Sequence, residues 1–338
     1  MDSVSPKRRH ILILKKKLYN LTSTDLRKKT VVKIGIQVIS LSNLGKSTTY
    51  LIGEALEREC NIFIYPVETL SIWDGRVSAR GKMVTTSSEG KVSLSEKEEE
   101  VNLSTLDMLL MRNDPPFDMS YITATYMLER CGTLVINEPE AVRGFPEKFV
   151  DYYNDAPPTL ISREIRNIQL FFEQYKSVVL KPLYEFGGDD VMKFESFDES
   201  TQEKIHELIS KTGTPIVAQK FEESVLEDGD KRVVVLDGKL LGCFRRKKEG
   251  SFITNMCKGG DFSSCILTSN EEEKCYRIAS DLKERGITLA GIDLIAEKIT
   301  EINVTSIAGI AELHQLYHIN SAAKCFDVFE EMIWLRKK

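Results

Sequence analysis

The stretch GIDLIAEKITEINVTS, residues 291 to 306, constrains the fold more than any other in this chain. Two short apolar runs, Ile292 to Ala296 and Ile299 to Val304, flank a polar turn at Glu297 and Lys298, the pattern of a β-hairpin. Side chains alternate along a strand, so Glu301 and Asn303 share a face, and pairing across the hairpin sets Asp293 nearly opposite Glu301. Two carboxylates and an amide oxygen aimed at one point suit Mg²⁺, a hard cation that takes oxygen ligands and completes its shell with water and nucleotide phosphates. Taken alone, an exposed edge hairpin with ordinary surface acids is the simpler reading. Features upstream favour a site.

From Val31 the chain reads strand, helix, strand. VVKIGIQVI is a near-continuous apolar run, Ser47 can cap a helix carrying Leu51, Ile52, Ala55 and Leu56, and NIFIYP follows, which makes a βαβ unit. Residues 71 to 104 are polar and hold an acidic cluster at Glu98 to Glu100, as expected of a solvated hairpin and loop. DMLLMR is a buried strand, Asp118 caps a helix with Tyr121, Thr125 and Leu128 on one face, and TLVIN closes a first domain near Asn137. After Pro157 and Pro158 strand pairs dominate. VVLKPL and VMKFE form a hairpin across a glycine-bearing turn, and PIVAQKF, KRVVVLDG and KLLGCFRR add strands before a helix from Glu271 to Arg285.

At 338 residues the chain exceeds one typical core. Domains are expected over 31–140 and 141–338, the second with lobes at about 150–222 and 223–338, after an N-terminal arm of residues 1–30. That arm is basic, but its apolar run Ile11 to Leu14 gives way to Lys15 to Lys17, which does not make a signal peptide. The net charge of −5 argues against nucleic acid as a partner, and no apolar run is long enough to span a membrane. Seven cysteines without a CxxC read as free thiols in a reducing cytoplasm.

Several constellations could carry chemistry. In KPLYEFGG, Lys181 ends a buried strand where an ammonium can be held against phosphate oxygens, and Gly187 and Gly188 let backbone N–H groups approach an anion. An ordinary hairpin is the alternative. Gln219, Lys220 and Phe221 end an apolar strand suited to an adenine edge, or to plain core. Asp237 and Gly238 form a turn that brings Lys231 and Arg232 beside Arg245 and Arg246, whose guanidiniums could bind phosphate or steady an oxyanion, or form a solvated basic face. LGKST, with Lys46, looks like the tail of a phosphate-binding loop, but the required first glycine falls at Ser40. His314 and His318 near Glu312 fit a helix surface better than a metal site.

The order of these pieces resembles the ATP-grasp fold. LLMRNDPPFDMSYITATYMLER, GTLVINEPEAVRGFPEKF, PPTLISRE, VVLKPL, EDGDKRVVVLDG and TEINVTS are similar to the bacterial-type glutathione synthetases over roughly residues 31 to 320. That resemblance implies a mixed α/β chain with an N-terminal Rossmann-like domain followed by a two-lobed ATP-grasp domain. It also implies a carboxylate–amine ligase, commonly a homo-oligomer, that joins γ-glutamylcysteine to glycine with ATP and Mg²⁺ through an acyl phosphate. On matching positions, Lys148 and Lys181 would contact phosphates beside Gly187 and Gly188, and Gln219 to Phe221 would line the adenine site. Asp293, Glu301 and Asn303 would hold Mg²⁺, and Arg232 and Arg246 would stabilise the transferred phosphate and the oxyanion. The acid and amine, a small amino acid or peptide, would meet Arg112, Asn255, Gly259, Gly260, Thr305 and Ser306.

Departures from the family pattern cluster where the acid should bind. The glycine-rich turn carries Asp189 and Asp190, Ile253, Asp261 and Ala311 stand where the family has arginines, and Ile307 and Ala308 stand where it has Pro-Thr. Carboxylates near phosphates are unfavourable unless they point away or meet metal. Affinity for the usual acidic dipeptide should fall. A ligase for another acid or acceptor, or a non-catalytic nucleotide-binding protein, remains open on the sequence.

Overall fold

The computed structural model of the protein describes residues 31–338 apart from Glu89 and Phe186, so the basic arm with its Ile11 to Leu14 run lies outside the described residues. Among the described residues the strands form three sheets. In the first, strands Lys33–Val38 and Asn61–Pro66 pair in parallel through helix Lys46–Glu57, and Met108–Met111 and Leu134–Ile136 extend the parallel set on the other side. The expected βαβ unit is present. Its helix begins differently, since Gly45 is the N-cap without a side-chain bond and Ser47 lies buried in the first turn. The Ser47 hydroxyl instead accepts the Gly309 N–H at 3.2 Å, so a tertiary contact has taken the group a cap would use.

The polar region of residues 71–104 forms antiparallel strand pairs, as a hairpin expectation requires, but far more of it is strand than loop. Arg76–Ser88 is a 13-residue strand that pairs antiparallel with Asn61–Pro66 and carries three short strands of its own. Val77 and Ala79 face the core on a period of two, a signal hidden by Arg76, Ser78 and Arg80 around them. At Gly81 any Cβ would stand 2.2 Å from the Ile64 carbonyl oxygen, so glycine is what lets the two strands meet.

The second sheet is antiparallel, in the order Met192–Phe194, Val178–Pro182, Ile216–Lys220, Thr159–Ser162. Helices Ile165–Tyr175 and Glu199–Thr212 cover one face and share a core with it that includes Ile168, Phe172, Leu180 and Ile205. The third sheet runs Asp261–Ser264, Lys239–Lys247, Asp230–Leu236, Leu289–Ile295, Lys298–Asn303. Helix Ser269–Glu284, closed by a Thr268 and Glu271 capping box, packs on it. A single core unites the first and third sheets, joining Phe63, Tyr65 and Leu109 to Val233, Ile292 and Ile302. Asn137, just past strand Leu134–Ile136, pins them together. Its amide donates to the carbonyls of Leu289 (2.7 Å) and Val304 (2.8 Å) and accepts from the N–H groups of Thr288 and Leu289.

Candidate active site

The late hairpin forms as its pattern requires, with the turn one residue earlier than expected. Ala296 and Glu297, both at positive φ, make the two-residue turn between Ile295 and Lys298. A bulge at Thr300 then restores the alignment that faces Asp293 with Glu301. Register carries the pattern onward. Arg232 pairs with Asp293, and Asp230 with Arg246, so alternation delivers two arginines and two aspartates to one face of the third sheet. The Arg232 guanidinium grips Asp293 through Nε and through Nη2 at 2.8 Å, Arg246 Nη2 reaches Asp293 at 3.0 Å, and Asn303 Nδ2 donates to it at 3.2 Å. Arg246 also holds Asp230 through Nε at 3.0 Å and through Nη2. Gly291 makes room, since a Cβ there would lie 3.0 Å from Arg232 Cδ.

These four charged side chains are each more than nine-tenths buried. Burial alone would push the Asp293 carboxyl up, but Arg232 and Arg246 hold it at about 2. Burial likewise works against the Arg246 charge, and Asp230 and Asp293 overcome it to raise the guanidinium above its ordinary range. No cluster of three or more His, Cys, Asp or Glu is placed to hold a metal among the described residues. Two carboxylates and an amide nonetheless fit a hard divalent cation that draws its other ligands from phosphate and water. Asp293, Glu301 and Asn303 lie on facing positions of the two hairpin strands.

Two lysines close over this floor. Lys148 lies between helix Pro139–Gly144 and a short 3₁₀ turn at Val150–Tyr153, with Nζ 3.2 Å from Glu301 and 2.5 Å from the Glu185 carbonyl. The preceding residue fixes it. Glu147 accepts from the N–H groups of Val304 (2.6 Å) and Thr305 (3.0 Å) and from the Thr305 hydroxyl, which clamps residues 147 and 148 to the hairpin's exit. Burial and the nearby Glu301 push the Glu147 carboxyl up. Lys181, near the end of strand Val178–Pro182, donates to Gln219 Oε1 at 2.8 Å. Burial lowers its pKa, against the pull of Glu301. An ammonium buried against a neutral amide is poised for an anion.

The cleft between the second and third sheets brings together Lys148, Lys181, Gly187, Gly188, Gln219, Lys220, Phe221, Arg246, Asn255, Asp293 and Glu301. One end is apolar, where Val179, Val191, Phe252 and Ile295 surround Phe221, whose ring meets Phe252 edge-on at 5.8 Å. The other end holds the charged groups. Arg232 and Asn303 act on this cleft through Asp293.

The glycine-rich turn borders the cleft, and several other expected residues lie outside it. Gly187 and Gly188 take positive φ, and Gly188 lies against Ile253 and Asn255. The two added carboxylates of that turn are each taken by a lysine, Asp190 by Lys211 at 2.5 Å and Asp189 by Lys258. Gly259 and Gly260 shape the loop, and a Cβ at Gly260 would strike the Thr254 carbonyl at 2.1 Å. Thr305 borders a small adjoining recess with Phe117, Phe145 and Tyr184, and Ser306 is half-buried beside it in sequence. Arg112 is buried away from the cleft lining, bonded to Thr48 Oγ1 at 3.0 Å and the Ile307 carbonyl at 2.9 Å. Lys46 is exposed and outside the cleft, and His314 packs edge-on against Tyr50. Asp230, Glu147 and Asn137 were not foreseen. Asp230 could have been found by allowing for the bulge at Val234 and Val235, which shifts its partner from Arg245 to Arg246.

Comparison with known proteins accords with this geometry. The prokaryotic glutathione synthetase N-terminal domain matches residues 32–143, and the ATP-grasp domain of the same family matches residues 147–318. A glutathione synthetase of Brucella melitensis is 38% identical over 308 residues, which cover 88% of this chain and 98% of that protein. Among solved structures, the D-cycloserine synthetase DcsG superposes with a TM-score of 0.63 at 13% identity, over 87% of this chain and 98% of that one. The ATP-grasp ligase PsnB, complexed with minimal precursor, Mg and ADP, gives 0.55 at 15% identity, over 88% and 96%. At such identities the two structures speak for the fold. The family matches go further, and the chain belongs to the prokaryotic glutathione synthetase family of ATP-dependent carboxylate–amine ligases.

Proposed function

We propose that the cleft binds ATP with Mg²⁺ and joins the carboxylate of a small amino acid or peptide to an amine, as its relatives' name implies for γ-glutamylcysteine and glycine. The observation that carries this is the convergence of Lys148, Lys181 and Arg246 with Asp293 and Glu301 in one cleft. Bound ATP supplies the γ-phosphoryl group that activates the acid as an acyl phosphate, and Mg²⁺ neutralises phosphate charge. The chain's own groups do the positioning. Lys148 and Lys181 meet phosphate oxygens, Gln219 to Phe221 with Phe252 hold the base, and Asp293, Glu301 and Asn303 hold the cation. The two arginines divide their work. Arg232 spends Nε and Nη2 on Asp293 and Nη1 on the Ala308 carbonyl at 3.3 Å, which makes it a positioning residue. Arg246 lines the cleft and steadies the oxyanion.

The acid side supports a less acidic substrate than the family's dipeptide. Ile253 lines the cleft, while Ile307 and Ala311 are buried, so these positions offer no cation to a substrate carboxylate. The test is ADP release and amide formation by the purified protein with ATP, Mg²⁺ and glycine, comparing γ-glutamylcysteine with amino acids and peptides lacking its free α-carboxylate. Turnover with a less acidic partner at lower KM is expected. Nucleotide binding without amide from any pair would refute the ligase reading.

A further inference from the structure

Cys243, on strand Lys239–Lys247, and Cys265, just past strand Asp261–Ser264, are both half-buried, and their sulfurs lie 3.7 Å apart. The ladder between these strands pairs Phe244 with Ser264, so Cys243 and Cys265 are the next facing residues. Facing residues in antiparallel strands have Cα atoms about 4.5–5.5 Å apart, inside the roughly 4.4–6.8 Å that a disulfide spans. Tyr317 bridges the two backbones at this point, its hydroxyl accepting the Cys265 N–H at 3.1 Å and donating to the Cys243 carbonyl at 2.8 Å. Closing the sulfurs from 3.7 Å to a disulfide's roughly 2.05 Å takes about 1.7 Å of movement. Strand Asp261–Ser264 is at the sheet's edge and mostly exposed, so it can supply that movement.

We propose that Cys243 and Cys265 are a redox modification site, closed to a disulfide by exchange with a small-molecule disulfide. Cys265 is the attacking thiol. It lies between exposed Ser264 and Ile266, and its contact with Cys243, against the opposing effect of burial and with help from Lys231 and Arg245, holds it below the ordinary thiol range. Its thiolate attacks one sulfur of the small disulfide, forming a mixed disulfide and expelling one thiolate, which takes up a proton. Cys243 then gives up its proton and attacks the Cys265 sulfur, expelling the second small thiol. Two protein thiols are oxidised to one disulfide, and one small disulfide is reduced to two thiols.

The consequence lies in the segment between the two cysteines. It holds the loop that contributes Phe252, Ile253 and Asn255 to the cleft and Lys258 to the ion pair with Asp189. A bond at its base ties both ends of that loop together and restrains the cover of the cleft. This consequence rests on the nucleotide reading, whereas the bond and the loop's restraint do not.

The full-length protein is treated with glutathione disulfide, its remaining thiols are alkylated, and unreduced peptides are mapped by mass spectrometry. A linked Cys243–Cys265 peptide, released by dithiothreitol, is expected. Cys243→Ser should stop at a glutathione adduct on Cys265, and Cys265→Ser should give neither the link nor an adduct on Cys243. Amide hydrogen exchange across residues 248–260 of the wild type should slow several-fold on oxidation and recover on reduction. Adducts confined to the exposed Cys257, an adduct on Cys243 in the Cys265→Ser protein, or a link that leaves loop exchange unchanged would overturn the proposal.

Discussion

Replacing Lys181 with Met removes an ammonium while keeping the length of its stem, and it should act in opposite senses on the empty and the nucleotide-bound protein. The Lys181 ammonium has the Gln219 amide oxygen as its hydrogen-bond partner, and burial has already lowered its pKa from the ordinary 10.5. The unfolded chain therefore binds this proton more tightly than the fold does. Wild-type stability should rise with pH between the lowered value and 10.5, and Lys181→Met should lose that rise and be no less stable at neutral pH. Nucleotide binding should suffer. A charge-assisted bond to phosphate contributes about 1.5–3 kcal/mol, and taking about 2 kcal/mol weakens binding roughly 30-fold. At Mg·ADP set to about 100 times the wild-type Kd, ligand stabilisation falls from about 2.7 to about 0.9 kcal/mol. At about 2 °C per kcal/mol for a domain of this size, the nucleotide-induced rise in Tm shrinks from roughly 5 °C to roughly 2 °C. Differential scanning fluorimetry with and without Mg·ADP measures both effects. An undiminished rise would show that phosphate does not meet Lys181, and a lower Tm for the empty variant would show that the ammonium is a structural ion.

Asn137→Ala removes four bonds that join the first and third sheets, and it should lower stability by about 4 kcal/mol, read as a Tm lower by roughly 8 °C. Asp230→Ala leaves the buried Arg246 with Asp293 alone and should cost about 3 kcal/mol in urea denaturation, with Asp230→Asn costing less. Glu301→Gln should raise the Mg²⁺ concentration needed for half-maximal ADP release by about tenfold or more, as a lost ligand would. An unchanged Mg²⁺ titration would place the cation elsewhere.

What the sequence made legible follows from periodicity. The turn at Asp237 and Gly238 and the Lys181 strand each rest on a period of two over a short range, where a residue's face is fixed by counting, whereas the pairing of Asp293 with Glu301 also needs the bulge at Thr300. What it hid depends on a bulge or on distance along the chain. Asp230 finds Arg246 through a bulge that no composition marks. Glu147 and Asn137 work through residues more than 140 positions away, and nothing local in GTLVINEPE announces that a side chain will satisfy another sheet's backbone. The strand Arg76–Ser88 was missed because its inward residues are small and its outward ones charged, so mean polarity outweighed alternation. The family resemblance implies that Arg112 sits at the mouth of the substrate site. Its bonds to Thr48 and Ile307 give it a buried tertiary role.

The charge pattern of the cleft explains how so many ions can be buried before any ligand arrives. Isolated, each buried guanidinium or carboxylate would cost several kcal/mol in lost hydration. Here Arg232 and Arg246 share Asp293, Arg246 also holds Asp230, and Lys148 holds Glu301, so the ions near the floor are paired within the fold. Lys181 is the exception, an ammonium held by an amide. A triphosphate entering this arrangement meets Lys181 without first breaking an ion pair. Under the proposed reading, the pairs involving Glu301 and Asp293 would then loosen, and a divalent cation at those oxygens would compensate for what the lysine and arginines withdraw. Arg246 has Nε and Nη2 committed, and a guanidinium carries five N–H groups, so Nη1 is the group free to follow charge as it develops. The same pairing that makes the empty fold tolerable thus sets which groups move when nucleotide and metal bind together.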